Sequence, residues 1–205
     1  MKKLKIGVLG LQGAVSEHIE ALDKAIKKLK IQERVFVVRK KEDLNGISGL
    51  VIPVGESTTI NRLMLETGIR EKIIELAGQG LPILGTCAGA ILLAKEGDEQ
   101  VKKTKTLLLG LLEMKVLRNA FGRQVNSFEA DIKIPELGEK PYRAVFIRAP
   151  AIEKVWGETR VWAKYKDEII GAKKGNVLAL TFHPELTSDL RIHEYFIKMA
   201  VDFPR

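Results

Sequence analysis

Only one sulfur nucleophile is available to this chain. Cys87 is the single cysteine, and it stands in Leu84-Gly85-Thr86-Cys87-Ala88-Gly89-Ala90. The apolar run before it predicts a strand and the run after it predicts a helix. The thiol then falls on a strand–turn–helix corner of the kind that exposes a nucleophile. A free thiol has a pKa near about 8.5 and carries little thiolate at neutral pH. The partial positive charge of a helix N-terminus stabilises the anion. Gly85 and Gly89 permit a sharp turn and let a substrate approach the backbone. A lone cysteine is otherwise a small buried hydrophobe, so the reactive reading needs partners.

A base is the first partner required. The chain has three histidines, His18, His183 and His193. His183 lies in Ala179-Leu180-Thr181-Phe182-His183-Pro184-Glu185. A strand delivers it to the end of a sheet, and Pro184 stops that strand. The Glu185 carboxylate can orient the imidazole and stabilise its protonated form, which is the logic of a catalytic triad. His18 and His193 fall in helical stretches and are expected at the surface or in packing. A third segment, Pro53-Val54-Gly55-Glu56-Ser57, ends an apolar strand where open α/β sheets bind ligands. Gly55 can turn a backbone N–H toward an oxyanion. The Ala88 N–H, next after the sulfur, would be a second donor, and each such donor is worth about 100–1000-fold in rate. With no further cysteine and no paired-histidine spacing, no metal site is expected.

The elements that must position these residues alternate in the first half. Lys5–Leu9 reads as a strand. Val15, Ile19, Leu22, Ile26 and Leu29 recur in steps of four and three and make one face of a helix. Arg34–Val38, Gly49–Pro53 and Leu81–Gly85 are further strands. Ser57 or Thr58 can cap a helix carrying Ile60, Leu63 and Met64. Another helix spans Ile69 to Gln79, ended by Gly78 and Gly80, and Ala88–Lys95 reads as helix. Gly97–Thr106 reads as a polar loop. The second half holds short strands at Met114–Leu117, Glu129–Ile132 and Ala144–Ile147. A meander follows at Val161–Lys166, Glu168–Lys173 and Val177–Phe182, then a closing helix from Asp189 to Asp202. This order predicts an α/β fold with a mostly parallel, doubly wound sheet and an antiparallel extension.

Composition narrows the setting. The chain has 205 residues, 45% of them hydrophobic and 29% charged, as a single globular domain over residues 1–205 would have. No apolar run approaches the roughly 18 residues that span a bilayer, so no membrane association is expected. Lys+Arg number 34 against 26 Asp+Glu, a net charge of +8. The lysines are scattered and do not interleave with aromatics, so nucleic acid is not an expected partner. One cysteine excludes a disulfide framework, and with no export signal at Met1–Leu9 the expected location is cytoplasmic.

Together the P-x-G-E-S loop, the G-T-C-A-G corner and the F-H-P-E end resemble the class I glutamine amidotransferase family. The resemblance is closest to the branch that serves as glutaminase subunits of pyridoxal 5′-phosphate synthases. Its carriers are Gly7–Val15, Gly55–Thr59, Arg118–Val125, Ser127–Asp131, Val145–Pro150 and Phe182–Thr187. It implies a flavodoxin-like three-layer sandwich, with Cys87 as nucleophile and His183 and Glu185 completing the triad. It implies L-glutamine as substrate, bound by Gly55, Glu56, Ser57, Arg118, Ile147 and Arg148. It further implies no cofactor and a hetero-oligomer with a barrel-shaped synthase subunit that receives the ammonia. Gln12 is expected at a sheet edge where that partner could press on the site. The family usually has two glycines before Glu-Ser, and this chain has Val54-Gly55. A β-branched residue disfavours positive φ, which bears on reorientation of that loop. Three alternatives stay open: a glutaminase feeding another synthase, a cysteine hydrolase on a similar fold, and a non-enzymatic regulatory subunit.

Overall fold

In the computed structural model, which describes residues 4–118 and 127–203, strand and helix alternate through the first half. β1 (Leu4–Leu9) leads into α1 (Val15–Leu29) and β2 (Glu33–Val38). β3 (Gly49–Ile52) is followed by α2 (Ser57–Glu66) and α3 (Ile69–Gly78), and β4 (Ile83–Thr86) by α4 (Ala88–Leu93). β1 pairs in parallel with β2 and β3, and β3 with β4. β3 and β4 are buried throughout. Strands covered on both faces read as continuous apolar runs.

The second half supplies β5 (Ala94–Gly97), α5 (Glu99–Lys103), β6 (Leu112–Leu117), β7 (Ser127–Ile132) and β8 (Tyr142–Ile147). It continues through β9 (Ala151–Val155), β10 (Arg160–Tyr165), β11 (Glu168–Lys174), β12 (Val177–Leu180) and α6 (Arg191–Asp202). β10, β11 and β12 form the expected antiparallel meander. β12 then lies parallel to β4. The large sheet has ten strands in the order β2-β1-β3-β4-β12-β11-β9-β6-β5, with β10 on β11; β7 and β8 form a separate antiparallel pair. The result is the mostly parallel sheet with an antiparallel part that the sequence predicts.

The pleat divides the core into two faces. Leu50 and Ile52 of β3 join Ile60 and Met64 of α2, Ile73 of α3 and Ile91 of α4. Val51, between them, points the other way and joins Leu22 and Ile26 of α1 with Phe196 and Ile197 of α6. Helices on both faces make three layers.

Three segments differ from expectation. Helix does not continue to Lys95: α4 stops at Leu93, and Ala94–Gly97 becomes an edge strand parallel to β6. The expected loop at Gly97–Thr106 contains α5. Its cap is Asp98, whose carboxylate accepts from the Gln100 and Val101 N–H groups at 3.1 and 3.0 Å, and Val101 is buried. β9 was not predicted. It bridges β6 and β11, antiparallel to both.

Candidate active site

Cys87 and His183 leave the sheet at the same edge because β4 and β12 are neighbours. Thr86 stands opposite Leu180 in register, and the Cys87 N–H donates to the Leu180 carbonyl at 2.8 Å. Cys87 is half-buried and sits at φ 49°, ψ −100°. This positive φ is rare for a residue with a side chain and costs strain that a packed corner must hold. The glycines explain how it is held. A Cβ on Gly89 would lie 2.1 Å from the Ile52 carbonyl oxygen, and one on Gly85 2.8 Å from the Gly89 carbonyl. They let α4 press onto β3 and β4, which packs the corner. α4 has only six residues. An anion at the sulfur therefore depends on nearby N–H groups and His183 more than on a long helix dipole.

His183 is buried, and its N–H is anchored to the Val145 carbonyl at 2.8 Å. Nδ1 lies 3.0 Å from Glu185 Oε1, and Nε2 lies 3.2 Å from the Ile147 carbonyl oxygen. The Cys87 sulfur lies close enough to the ring to act on its charge. Burial opposes a charged imidazole. The Cys87 sulfur and the Glu185 carboxylate outweigh it and raise the His183 pKa from 6.5 to about 10. At neutral pH both ring nitrogens then carry protons, Nδ1–H donating to Glu185.

The loop after β3 is clamped from two sides. Glu56 caps α2. Its carboxylate accepts from the Thr59 N–H and the Thr59 hydroxyl, each at 3.0 Å, and from the Thr58 hydroxyl. It also pairs with the Arg118 guanidinium. Burial pushes the Glu56 pKa up, but these donors and Arg118 outweigh it and hold the pKa at about 2. The cap is thus Glu56, not Ser57 or Thr58, because its longer side chain reaches three donors at once. On the other side, Gln12 Oε1 accepts from the Glu56 N–H at 2.8 Å, and the Ala14 N–H donates to the Val54 carbonyl at 2.9 Å. Gly13 has φ +112°, and a Cβ there would fall 1.8 Å from the Val54 carbonyl oxygen. Val54 is not among the residues of positive φ, so its branched side chain is accommodated in this arrangement of the loop.

The predicted binding residues separate into two groups. Gly55, Glu56, Ser57 and Arg118 gather on the clamped loop, and the Arg118 N–H is fixed to Asp98 at 2.8 Å. Ile147 meets His183 through its carbonyl, while Arg148, exposed at φ +45°, follows the end of β8. Asn119–Val125 lies outside the described residues.

The profile of the SNO glutamine amidotransferase family matches residues 8–202. The chain belongs to that family. A pyridoxal 5′-phosphate synthase subunit PdxT of Methanosarcina barkeri is 54% identical over 95% of this chain and 96% of its own length. The subunit PdxT of Methanosarcina acetivorans is 53% identical over 97% of this chain and 99% of its own. Among solved structures, a glutamine amidotransferase superposes with a TM-score of 0.83 at 44% identity, over 96% of this chain and 98% of that one.

Of the two places expected for His18 and His193 in this amidotransferase, surface or packing, the structure supports packing. His18 and His193 are both fully buried, so neither is a surface residue. His18 Nε2 lies 3.0 Å from Thr86 Oγ1 and 3.5 Å from Glu185 Oε2. His18 Nδ1 lies 3.3 Å from His193 Nε2. Burial first, then the neighbouring His193 and His183, drives the His18 pKa well below 6.5. Burial lowers His193 to about 4. The signal was spacing: His18 precedes Leu22 and Ile26 in steps of four, and His193 precedes Ile197 by four, on the inward faces of α1 and α6. Among the described residues no cluster fit for a metal ion occurs, and no helix is long and apolar enough to cross a membrane.

Proposed function

We propose that the chain is the glutaminase subunit of a pyridoxal 5′-phosphate synthase, acting as one domain in the cytoplasm. It hydrolyses L-glutamine to L-glutamate and ammonia and passes the ammonia to the synthase subunit. The observation that carries this reading is Cys87 on a strained corner at the end of β4, beside a His183 that follows the neighbouring strand β12 and is held through Nδ1 by Glu185. The family membership and the full-length likeness to subunits of that name support it.

The Cys87 thiolate attacks the side-chain carbonyl carbon of glutamine. The carbonyl π electrons move to oxygen, and the Gly55 and Ala88 N–H groups hold the oxyanion. Ala88 opens α4, so its N–H has no acceptor within the helix. The Val54 carbonyl is turned toward Ala14, and in a trans peptide the following N–H points the opposite way. That leaves the Gly55 N–H free of the α1 side of the loop. As the carbon–nitrogen bond breaks, His183 gives its proton to the leaving nitrogen and ammonia departs. Neutral His183 then takes a proton from water, which attacks the thioester and releases glutamate and the thiolate. Arg118 acts by fixing Glu56 and with it the loop, while Arg148 and Ile147 border the substrate on the β8 side.

Ammonia release from glutamine, measured with and without the barrel-shaped synthase subunit, tests the proposal. Turnover is expected to rise on mixing, together with formation of a larger particle. Cys87→Ala should abolish it. Normal turnover in that variant, or equal rates with and without the subunit, would overturn the assignment it addresses.

A further inference from the structure

The buried carboxylate of Glu185 has two oxygens and only one settled partner. Oε1 takes the His183 Nδ1–H, whereas Oε2 is buried with no hydrogen bond of normal geometry. His18 Nε2 lies 3.5 Å from Oε2. A buried carboxylate oxygen without a donor is costly.

The neighbouring atoms settle which His18 nitrogen carries hydrogen. A neutral imidazole has one N–H. Suppose it were on Nδ1. His18 would then donate to His193 Nε2, and His193 would keep its proton on Nδ1. That nitrogen is buried without a partner, so an N–H would be orphaned, and the bare His18 Nε2 would face a carboxylate oxygen. The opposite arrangement avoids both costs. His193 Nε2–H donates to His18 Nδ1 across 3.3 Å. His18 Nε2–H is shared between the Thr86 hydroxyl oxygen at 3.0 Å and Glu185 Oε2. Only the lone pair of His193 Nδ1 is then left without a donor.

We propose that His18, set by His193, is a positioning residue that holds Glu185 Oε2 and so aims Oε1 at the Nδ1 of His183. The same contact ties Glu185 to Thr86, the residue before the nucleophile, so one side chain braces both halves of the Cys87–His183 pair. The catalytic part of the proposal rests on the glutaminase reading; the hydrogen-bond arrangement does not.

Two measurements on the full chain decide it separately. In nitrogen-15 histidine spectra, His18 and His193 should both show protonated Nε2 and bare Nδ1; a protonated His18 Nδ1 would overturn the arrangement. The second compares His18→Leu with His18→Gln, whose amide nitrogen can reach the position of Nε2. The downfield proton of the His183–Glu185 hydrogen bond, identified by its loss in His183→Asn, should vanish in His18→Leu and persist in His18→Gln. In the complex with the synthase subunit, kcat for glutamine should fall about 3–10-fold in His18→Leu, less than the worth of a full hydrogen bond to a charged group because the contact is long and shared. KM should stay within about twofold, and the glutamine variant should recover most of the loss. Unchanged kcat or an unchanged downfield proton in His18→Leu would refute the positioning role. If His18→Leu does not fold, the wild-type spectrum and His18→Gln decide instead, and a collapse of kcat in His18→Gln would count against the donor. Should wild type release no ammonia at all, the glutaminase reading fails, while the tautomer and the downfield proton still judge the arrangement.

Discussion

At the scale of single residues, the site depends on a proton kept where burial alone would not keep it. His183 is raised to about 10 against the burial that lowers it, and the Glu185 carboxylate is one of the groups responsible. Glu185→Gln keeps an oxygen for the Nδ1–H but removes the charge. A neutral hydrogen bond is worth about half a charge-assisted one, so the His183 pKa must fall. The proton lost on the alkaline side is the one ammonia needs, so the alkaline limb of the pH–rate profile should move to lower pH. Turnover at neutral pH should drop about tenfold, less than in His183→Asn. A limb that stays in place would show that Glu185 does not hold the proton. Cys87, His183 and Glu185 were legible as neighbours at one sheet edge because each sits beside a strand end and a breaker, Gly85 or Pro184, that fixes its place in the chain. His18 and His193 were not. A histidine on an apolar helix face reads the same whether it packs or relays, and only the meeting of α1 with α6 behind Glu185 separates the two.

At the scale of elements, the strained corner at Cys87 exists because α4 can lie against β3. The close contact is Gly89 on the Ile52 carbonyl, where an added Cβ would sit at 2.1 Å. Backbone cannot give way there as a flexible side chain could. Gly89→Ala should therefore lose about 1–3 kcal/mol of stability to overpacking, although alanine is the better helix former. It should also slow labelling of Cys87 by a glutamine-like electrophile. Gly78 in α3 is the control: a Cβ there meets nothing within 4 Å, so Gly78→Ala should gain about 0.5–1 kcal/mol from helix propensity. Urea unfolding of the two variants reads both signs, and a gain at Gly89 would remove the packing account of the corner. Elements with strong periodicity or continuous apolar runs, such as α1 and β3, could be read from residues alone. β5 and β9 could not, because Ala94–Gly97 and Ala151–Val155 are short and of mixed character, and become strands by pairing with β6 and, for β9, also with β11. α5 carried a readable signal in Asp98, whose cap is local, and it was obscured by the polar residues around it.

At the scale of the whole molecule, the order of the strands, not any local motif, brings a corner after β4 and a histidine after β12 to one edge. Alternation predicted the parallel half and the turn residues predicted the meander; the insertion of β12 beside β4 is a matter of tertiary pairing that no local pattern encodes. The same architecture buries titratable rings between α1, α6 and the sheet, and this has a consequence for stability. His193 has a pKa of about 4 when folded against 6.5 ordinarily, and His18 is lowered in the same direction. For these bases the unfolded chain binds more protons between those values. Stability is therefore full above about pH 6.5 and is lost as pH falls toward 4, by roughly 3 kcal/mol for His193 alone. His183, raised to about 10, has the opposite sign. Its contribution is full below about pH 6.5 and is lost as pH rises to 10. The three rings together should place a stability maximum near neutrality. Urea unfolding at a series of pH values tests this, with His193→Gln as the decisive variant. That side chain cannot titrate, so between pH 6.5 and 4 the variant should lose stability with a slope smaller by close to one proton. An unchanged slope would mean that the ring behind Glu185 takes up its proton without unfolding the chain.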